Sequence, residues 1–307
     1  MSKVTAEQAE QAGESSREEY ESRSRLRVFA RTLLTDKLAI AGLMGLAVVT
    51  IGAIVGPLLS PYAPTQTNLA IMLEGPSLAH PFGTDRYGRD ILTRILAGGR
   101  VSLFVAVAGV SIAVGIGVPL GAIAGYYERW IGATIMRVAD MVFSFPALLL
   151  ALALVTVLGQ SILNVVLAIG LVYWPVFARI TRGSVLSVKE EDFIQASRAI
   201  GDTDRRIIFA EIMPNVLAPV IVQATISLAV AVLVESSLSF LGLGVPPPDP
   251  SWGRMLAASR NFMNQSPWWV IAPGVAIMIT VLSVNFVGDT LRDGLDPRQE
   301  NQIEVGR

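Results

Sequence analysis

The 307-residue chain contains no cysteine and a single histidine, so two common kinds of site are missing from it. Without thiols it forms neither a disulfide nor a thiolate metal centre. A metal site needs several His, Cys or carboxylate ligands at fixed spacing. His80 stands alone, and we interpret it as a loop residue. The sequence therefore predicts no metal site.

Lysine is scarce as well, and its positions exclude one class of enzyme. A Walker A loop places lysine after glycine and before serine or threonine. The three lysines, at 3, 37 and 189, follow serine, aspartate and valine. The chain also offers no plausible Ser/His/Asp set or carboxylate pair. We therefore predict no catalytic residue and no cofactor bound by this chain.

Charge is sparse and unevenly placed. Charged residues make up 16% of the chain and hydrophobic residues 52%, whereas about 25% charge is usual in soluble domains. A membrane span needs roughly 20 apolar residues. Five windows contain no charged residue or only Glu235, and they are 38–73, 101–124, 141–178, 212–248 and 261–288. The 141–178 window has room for two spans, so we predict an all-α polytopic membrane protein with six transmembrane helices. We place these near 38–59, 101–124, 139–158, 162–181, 215–238 and 268–288.

The distribution of Lys and Arg predicts the orientation. With the N-terminus inside, the inner segments carry 18 Lys and Arg residues and the outer segments carry 6. Positive residues favour the cytoplasmic side, so both termini are predicted to be cytoplasmic. The formal net charge of −1 gives no indication of a nucleic-acid partner.

The chain divides into four parts by composition. Residues 1–24 are polar and predict a disordered cytoplasmic tail. Residues 25–37 predict an interfacial helix on the inner leaflet, or alternatively an extension of the first span. Residues 38–298 form the six-span domain, with a cytoplasmic loop at 182–214, and 299–307 form a C-terminal tail. In the outer segments, Trp252, Trp268 and Trp269 are expected at headgroup depth.

The most informative segment is the polar stretch 191–214. Its residues Phe193, Ala196, Ser197 and Ile200 recur at helical spacing and give one small, mostly apolar face. Gly201 is expected to end that helix, and residues 202–204 are expected to cap the next helix. Spacing alone leaves two interpretations open. The helix either fits a groove on a cytoplasmic partner or rests on lipid.

Three groups of residues carry a family resemblance. Gln195-Ala196-Ser197, Gly201 and Met213-Pro214 resemble the EAA loop of ABC importer permeases, with Gln, Ser and Met in place of Glu, Ala and Leu. The segments 80–90 with 99–102, and 235–244 with 250–253 and 288–297, resemble peptide and nickel permeases. The resemblance covers about residues 36–298. It points to the second permease subunit type of dipeptide, oligopeptide and nickel importers.

The resemblance implies a type I ABC importer permease fold and a set of partners. These are a homologous permease forming a heterodimer, two cytoplasmic ATPase subunits that hold ATP and Mg²⁺, and an external solute-binding protein. It implies a bacterial or archaeal plasma membrane and a peptide substrate, with nickel or another small solute as the alternative. It also implies ATPase-coupling residues, namely Phe193, Gln195, Ala196, Ser197, Ile200, Gly201, Met213 and Pro214.

Two polar residues inside spans are candidates for a translocation path or outer gate, Glu235 and Asn285. A buried carboxylate is costly in a membrane and normally faces a protein interior or a water-filled path. For Glu235 we favour a structural role, as a hydrogen-bond partner of Ser236, Ser237 or Ser239 or of an outer-loop arginine. Asp140 and Asp289 are expected to form helix caps or inner salt bridges.

Two other functional classes remain. A secondary transporter driven by an ion gradient would need several ionisable residues near the bilayer midplane, and only Glu235 approaches that description. A membrane scaffold would transport nothing. ATP dependence of transport separates these alternatives from an ABC importer.

Overall fold

The computed structural model describes residues 36–295, and within this range the chain forms nine α-helices and two short 3-10 turns. The helices are α1 Lys37–Leu59, α2 Ile91–Tyr126, α3 Trp130–Phe143, α4 Ala147–Leu158, α5 Ile162–Val188, α6 Asp192–Ala199, α7 Asp204–Phe240, α8 Trp252–Ser259 and α9 Pro267–Leu295. The 3-10 turns are Leu69–Ile71 and Arg260–Phe262. The predicted tails 1–24 and 299–307, and nearly all of the predicted interfacial helix 25–37, lie outside the described residues.

The prediction of an all-helical, multi-span protein is confirmed. Five helices, α1, α2, α5, α7 and α9, are long and apolar enough to cross a membrane, and α3 with α4 can supply a sixth crossing. Between residues 36 and 295 no β-strand is formed, and Thr84 and Asp90 make one isolated bridge.

Hydrogen bonds at the two ends of the bundle show that α1 and α7 each run opposite to α2. The hydroxyls of Ser60 and Thr93 lie 2.5 Å apart and join the end of α1 to the start of α2. Tyr126, at the other end of α2, donates to Asp204 at the start of α7 at 2.7 Å. Following the predicted orientation, we call the end that carries α6 the inner end and the opposite end the outer end.

The tightest helix pair is α2 with α5, and glycine makes it possible. An added Cβ at Gly109 would lie 2.7 Å from the Ile169 side chain, and one at Gly125 would lie 2.7 Å from Val185. Between them, Cβ atoms at Gly117 and Gly121 would overlap backbone carbonyls of α5. Small residues four apart let membrane helices approach closely. The pair therefore forms one unit that runs from the inner to the outer end.

The third predicted span, 139–158, is not one straight helix. The chain bends by 88° between α3 and α4. Pro146 stands at the N-cap of α4. Proline lacks a backbone N–H and disfavours helical geometry in the residue before it. The break is the local consequence, and α3 begins at Trp130, nine residues before the predicted start.

Helix α1 lies at the edge of the bundle and is tied to α2 by Arg100. Pro57 lies inside α1 and cannot donate to the carbonyl four residues earlier, which belongs to Ala53. Arg100 donates to that carbonyl from Nε at 2.7 Å. A charged residue near the outer end of α2 thus satisfies a backbone group that proline leaves free.

The outer segments fold back onto the bundle, and two tryptophans are buried by them. Trp252 and Trp269 are each 1% exposed, so their rings face the protein interior and not the surrounding headgroups. Trp252 donates from Nε1 to the Ile95 carbonyl at 3.0 Å, and Trp269 packs against Phe262. Trp268 is 41% exposed. An indole has an apolar body and one donor, so it fits an interior as well as an interface.

Candidate coupling site at the inner end

Helix α6 is short, and its ends are fixed by local sequence. Asp192 lies in the first turn and Arg198 in the last turn, and both charges suit the helix dipole. Gly201 has a φ of +88°. Its N–H donates to the Arg198 carbonyl, and the N–H of Asp202 donates to the Ser197 carbonyl, each at 3.1 Å. These are the two bonds of a Schellman cap, which needs a left-handed residue at this position.

Neighbouring side chains of α6 point in opposite directions. Ile194 is fully buried and anchors the helix to the bundle. Phe193 is 46% exposed and Ile200 is 80% exposed. Ala196 is also exposed, whereas Ser197 is half-buried. The apolar face predicted from spacing is therefore present, and most of it is open to a partner.

Gln195 occupies the position where the EAA pattern has glutamate. Its side chain is exposed, and Nε2 donates to the Glu190 carbonyl at 3.1 Å. A carboxylate cannot make that bond because it has no hydrogen to donate. Glutamine at this position therefore helps to close the turn between α5 and α6.

Asp204 ties this site to the end of α2. Its carboxylate accepts hydrogen bonds from the Tyr126 hydroxyl at 2.7 Å and the Tyr127 hydroxyl at 2.9 Å. The bond to the carboxylate raises the pKa of Tyr127 above its ordinary value. The guanidinium of Arg198 lies 5.3 Å from the centre of the Tyr126 ring, within cation–π range. Helix α6, the start of α7 and the end of α2 are thus joined by polar contacts.

The capping prediction for residues 202–204 is corrected by this arrangement. Thr203 is the residue at the N-cap, but its side chain makes no cap hydrogen bond. Asp202 instead pairs with Arg206 at 3.0 Å. Asp204 is thus used for a contact with the end of α2, and Asp202 for a local ion pair, rather than for capping the backbone of α7.

A second connection joins the end of α5 to the turn after α2. Lys189 pairs with Glu128, and hydrogen bonding by the lysine lowers the pKa of that carboxyl. Further out, Arg179 pairs with Asp140 at 2.7 Å, which confirms an inner salt bridge for Asp140. Both side chains of that pair are more than half exposed, so its contribution to stability is small. The Asp289 side chain is exposed.

The predicted end of the loop at Met213-Pro214 lies inside a helix. Helix α7 begins at Asp204, passes through a π-helical segment at Ile207–Ile212 and continues without a break to Phe240. Met213 donates to the Ile208 carbonyl, five residues earlier. This widened turn places Ile207, Ile208 and Ile212 in the core together. Such π segments are uncommon and occur often at functional sites.

Several residues of this site were missed by sequence reasoning. Ile194, Tyr126, Tyr127 and Asp204 hold α6 in place, yet only Asp204 was considered, and for a different role. A signal for the tyrosines was available, because two adjacent phenols end a long charge-free window just before Glu128. The sequence alone could not show whether Phe193 or Ile194 points inward, because that depends on where α5 and α7 lie.

Glu235 lies far from α6, in the outer third of α7, and is completely buried. Ser239 donates to its carboxylate at 2.7 Å, and the Ser236 hydroxyl lies 3.5 Å away. The hydroxyls of Ser102 and Ser251 lie close to the same carboxylate. The group therefore joins α2, α7 and the start of α8. Ser237, the third serine considered, bonds the Leu233 carbonyl instead.

The remaining polar candidates lie elsewhere in the bundle and its outer segments. Asn285 is half-buried in α9. His80 is buried, with its Nδ1 2.9 Å from the Asp90 carboxylate, and Asp90 also caps α2 by accepting from the Thr93 N–H at 2.7 Å. Within residues 36–295 no cluster of three or more His, Cys, Asp or Glu side chains is arranged to hold a metal ion.

Comparison with known proteins identifies the family. Residues 117–301 match the binding-protein-dependent transport system inner membrane component, and residues 24–77 match the N-terminal transmembrane domain of oligopeptide transport permease C. The chain is 46% identical to the dipeptide transport system permease protein DppC of Alkalihalophilus pseudofirmus over 92% of this chain and 93% of that protein. The chain belongs to the binding-protein-dependent permease family. The resemblance identified from the EAA-like loop is thereby confirmed.

Other members of this permease family give the same result. The di/tripeptide transport system permease protein DppC of Pseudomonas aeruginosa is 39% identical over 91% of this chain and 94% of that protein. Among solved structures, the fold resembles a chain of the MetNI methionine ABC transporter in an inward-facing conformation. The TM-score is 0.55 at 18% identity, over 66% of this chain and 96% of that chain. The predicted type I importer permease fold is confirmed.

Proposed function

We propose that this chain is the second-type permease subunit of an ATP-driven importer of di- and oligopeptides. In this proposal it forms half of the translocation path, and a homologous permease in a heterodimer forms the other half. The observation that carries the proposal is the exposed apolar face of α6 on a chain 46% identical to a dipeptide permease. An exposed apolar face of this kind indicates contact with another protein, and the permease of an importer needs a source of energy for transport.

The partners follow from the same proposal. Two cytoplasmic ATPase subunits bind ATP and Mg²⁺ and contact α6, and this chain itself binds no cofactor and hydrolyses nothing. An external solute-binding protein delivers the peptide at the outer end. The family description, which names binding-protein-dependent transport, supports that last partner. The protein spans the plasma membrane of a bacterium or archaeon with both termini inside, as the Lys and Arg distribution indicates.

The geometry suggests how movement reaches the membrane. A push on α6 is transmitted by Ile194 into the core, and by Asp204 and Tyr126 to the inner end of α2. Because α2 packs tightly on α5, the two helices move together. Close-packed helices switch between discrete packings rather than stretch. Closure of the ATPases would thus tilt the unit between inward-open and outward-open arrangements.

A second candidate function is import of nickel or another small solute by the same machinery. The coupling site is compatible with any cargo, because none of its residues lies near the outer end. Glu235 and Asn285 remain predictions as path or gate residues. The buried position of Glu235 among serines supports a structural role within the subunit.

The experiment is transport by the complete complex in vesicles. This chain, its partner permease, both ATPases and the binding protein are reconstituted together, and uptake of a labelled dipeptide is measured. We expect uptake to require ATP on the α6 side and to survive an uncoupler. Uptake that proceeds without ATP and collapses with the uncoupler would show an ion-driven secondary transporter instead. Uptake of Ni²⁺ but no peptide would favour the second candidate.

A further inference from the structure

An apolar cleft lies between α1 and α9 towards the outer end of the bundle. Its volume is about 420 Å³, and it is partly open to the surroundings. The residues along it come mainly from the second half of α1, the first turns of α2 and the first half of α9. None of the residues that line the cleft is charged or carries a hydroxyl, carboxylate or amide side chain. The cleft is therefore suited to hydrocarbon and not to a polar solute.

The cleft exists because α1 and α9 touch closely in their inner halves only. An added Cβ at Gly42 would lie 2.9 Å from the Ser283 carbonyl oxygen, and one at Gly45 would overlap the Ser283 hydroxyl. Towards the outer end, Ala53 of α1 and Ala276 of α9 line the open space instead. Small residues thus permit close packing at one end and leave a gap at the other.

The walls of the cleft are held in place by contacts with α2. Arg100 fastens α1 to α2 through its 2.7 Å bond to the Ala53 carbonyl. An added Cβ at Gly52 would lie 3.2 Å from Leu96, so α1 also rests directly on α2. Trp252, which lines the cleft, is held by the bond from its indole to α2. The cleft is therefore preformed, as ligand sites usually are.

The surroundings of the cleft indicate what fills it. A bound water needs several polar partners, and these walls offer almost none. An empty gap leaves its walls without dispersion contacts. The lining residues Val48, Ile271 and Val275 are also exposed, so the cleft continues into the outer faces of α1 and α9. Both helices have the length and apolarity of membrane spans, and the material beside them is the acyl-chain region of a bilayer.

We propose that this cleft binds an acyl chain of a phospholipid from the leaflet at the outer end. The chain fills the gap and holds α1 against α9. Trp268 also lines the cleft and is 41% exposed, so its indole N–H can donate to lipid oxygens at headgroup depth. Because no charged residue lines the cleft, it recognises the hydrocarbon chain and not the charge of the headgroup. The inference needs only a membrane-spanning chain and does not rest on the proposed cargo or partners.

The first test measures phospholipid that the purified full chain retains after extensive washing in mild detergent. The filling variant is Ala272→Leu with Ala276→Leu, which places two larger apolar side chains in the cleft. The matched control is Ala41→Leu with Ala47→Leu, the same changes at exposed positions of α1 that do not line the cleft. By phosphorus assay, we expect the variant to retain about tenfold less phospholipid than wild type and control, because each methylene excluded from the cleft weakens binding.

The second test measures the melting temperature of the stripped proteins after lipid is added back. A ligand that binds the folded state raises its stability. Long-chain phosphatidylglycerol and long-chain phosphatidylethanolamine should raise the melting temperature of wild type and control equally. Dihexanoyl-phosphatidylglycerol should have little effect, because its short chains bury few methylenes. The filling variant should respond to none of these lipids, since its leucines already occupy the cleft.

Three results would overturn the inference. One is equal lipid retention and equal melting response in wild type, variant and control. Another is a response of wild type to phosphatidylglycerol regardless of chain length, which would show headgroup binding instead. The third is loss of the retained lipid when the homologous permease is added, which would make the cleft a subunit interface. If the filling variant does not fold, the dependence of the wild-type response on chain length and headgroup still decides the question.

Discussion

Phe193 and Ile194 are adjacent residues with opposite tasks. Ile194 is fully buried against the bundle, whereas Phe193 is 46% exposed beside Ile200. Sequence periodicity predicted the exposed face correctly, because i, i+3 and i+7 share one side of a helix. It could not show that Ile194 is the anchor. A single buried residue produces no repeating pattern in the sequence, and the burial of Ile194 depends on helices that are distant in the chain.

Replacing Phe193 with Asp tests the coupling role of this face. The substituted side chain stays in water in the isolated subunit, so the permease should fold normally. Docked against an ATPase, the carboxylate would lose its hydration without a partner, which is costly. We expect peptide uptake to fall at least tenfold while ATP hydrolysis by the complex continues. Phe193→Leu is the matched control and should keep most of the uptake, and wild-type uptake by the Asp variant would count against the coupling role.

Substitutions of Glu235 test whether its buried carboxylate has a structural role or a role in transport. Glu235→Gln keeps an acceptor for the surrounding serine hydroxyls but cannot ionise, whereas Glu235→Ala leaves hydroxyls unsatisfied at about 1–3 kcal/mol each. The structural role predicts near-normal uptake for Gln and a clearly lower melting temperature for Ala in detergent. A Gln variant of normal stability that no longer transports would assign Glu235 to the path or gate.

At the scale of elements, the parts that local chemistry determines were predictable from sequence. The end of α6 at Gly201 is one such part, because glycine is the residue that most readily adopts the left-handed conformation found at this position. The bend between α3 and α4 could also have been placed at Pro146, because proline disfavours helical geometry in the residue before it. The burial of Trp252 could not have been predicted, since it depends on α8 folding back against α2.

Gly201 offers a test of the α6 cap. Its added Cβ would meet no atom within 4 Å, so any effect of substitution comes from the φ of +88° and not from a clash. For most residues the left-handed conformation costs roughly 1–2 kcal/mol, and Asn tolerates it best after Gly. We expect Gly201→Val to increase hydrogen exchange in residues 192–200 and to reduce uptake, with Gly201→Asn close to wild type. Equal exchange in both variants would show that the cap is unimportant.

The α2–α5 pair offers a test of packing. At Gly121 an added Cβ would overlap the Ala178 carbonyl and lie 2.7 Å from Thr181 Cβ, whereas at Gly115 on the same helix it would meet nothing within 4 Å. Overpacking typically costs about 1–3 kcal/mol. We expect Gly121→Val to lower the melting temperature of the purified subunit and Gly115→Val to leave it nearly unchanged. If the melting temperature falls by a similar amount in both variants, the close approach of α2 and α5 does not depend on glycine at position 121. The four-residue spacing of these glycines was visible in the sequence, although only the contact shows which helix they face.

At the scale of the whole molecule, the contacts form one mechanical connection from α6 to the outer end. The connection begins at Ile194 and Asp204, passes through Tyr126 to the α2–α5 unit, and reaches Ser102 and Glu235 where α7 and α8 meet. The steps between elements are packed or hydrogen-bonded contacts, and between Tyr126 and Ser102 the connection runs along α2 itself. We therefore expect a displacement applied at the inner end to be transmitted across the bundle.

The most direct test of this account replaces residues 190–203, which contain α6, with a glycine-serine segment of equal length. Helices α5 and α7 keep their own contacts, so the subunit should still insert and assemble with its partner permease. The measurement is ATP-dependent peptide uptake by the complete complex in vesicles. The account predicts that uptake is abolished, whatever ATP hydrolysis remains. Uptake at the wild-type rate would contradict the claim that this chain is driven through α6.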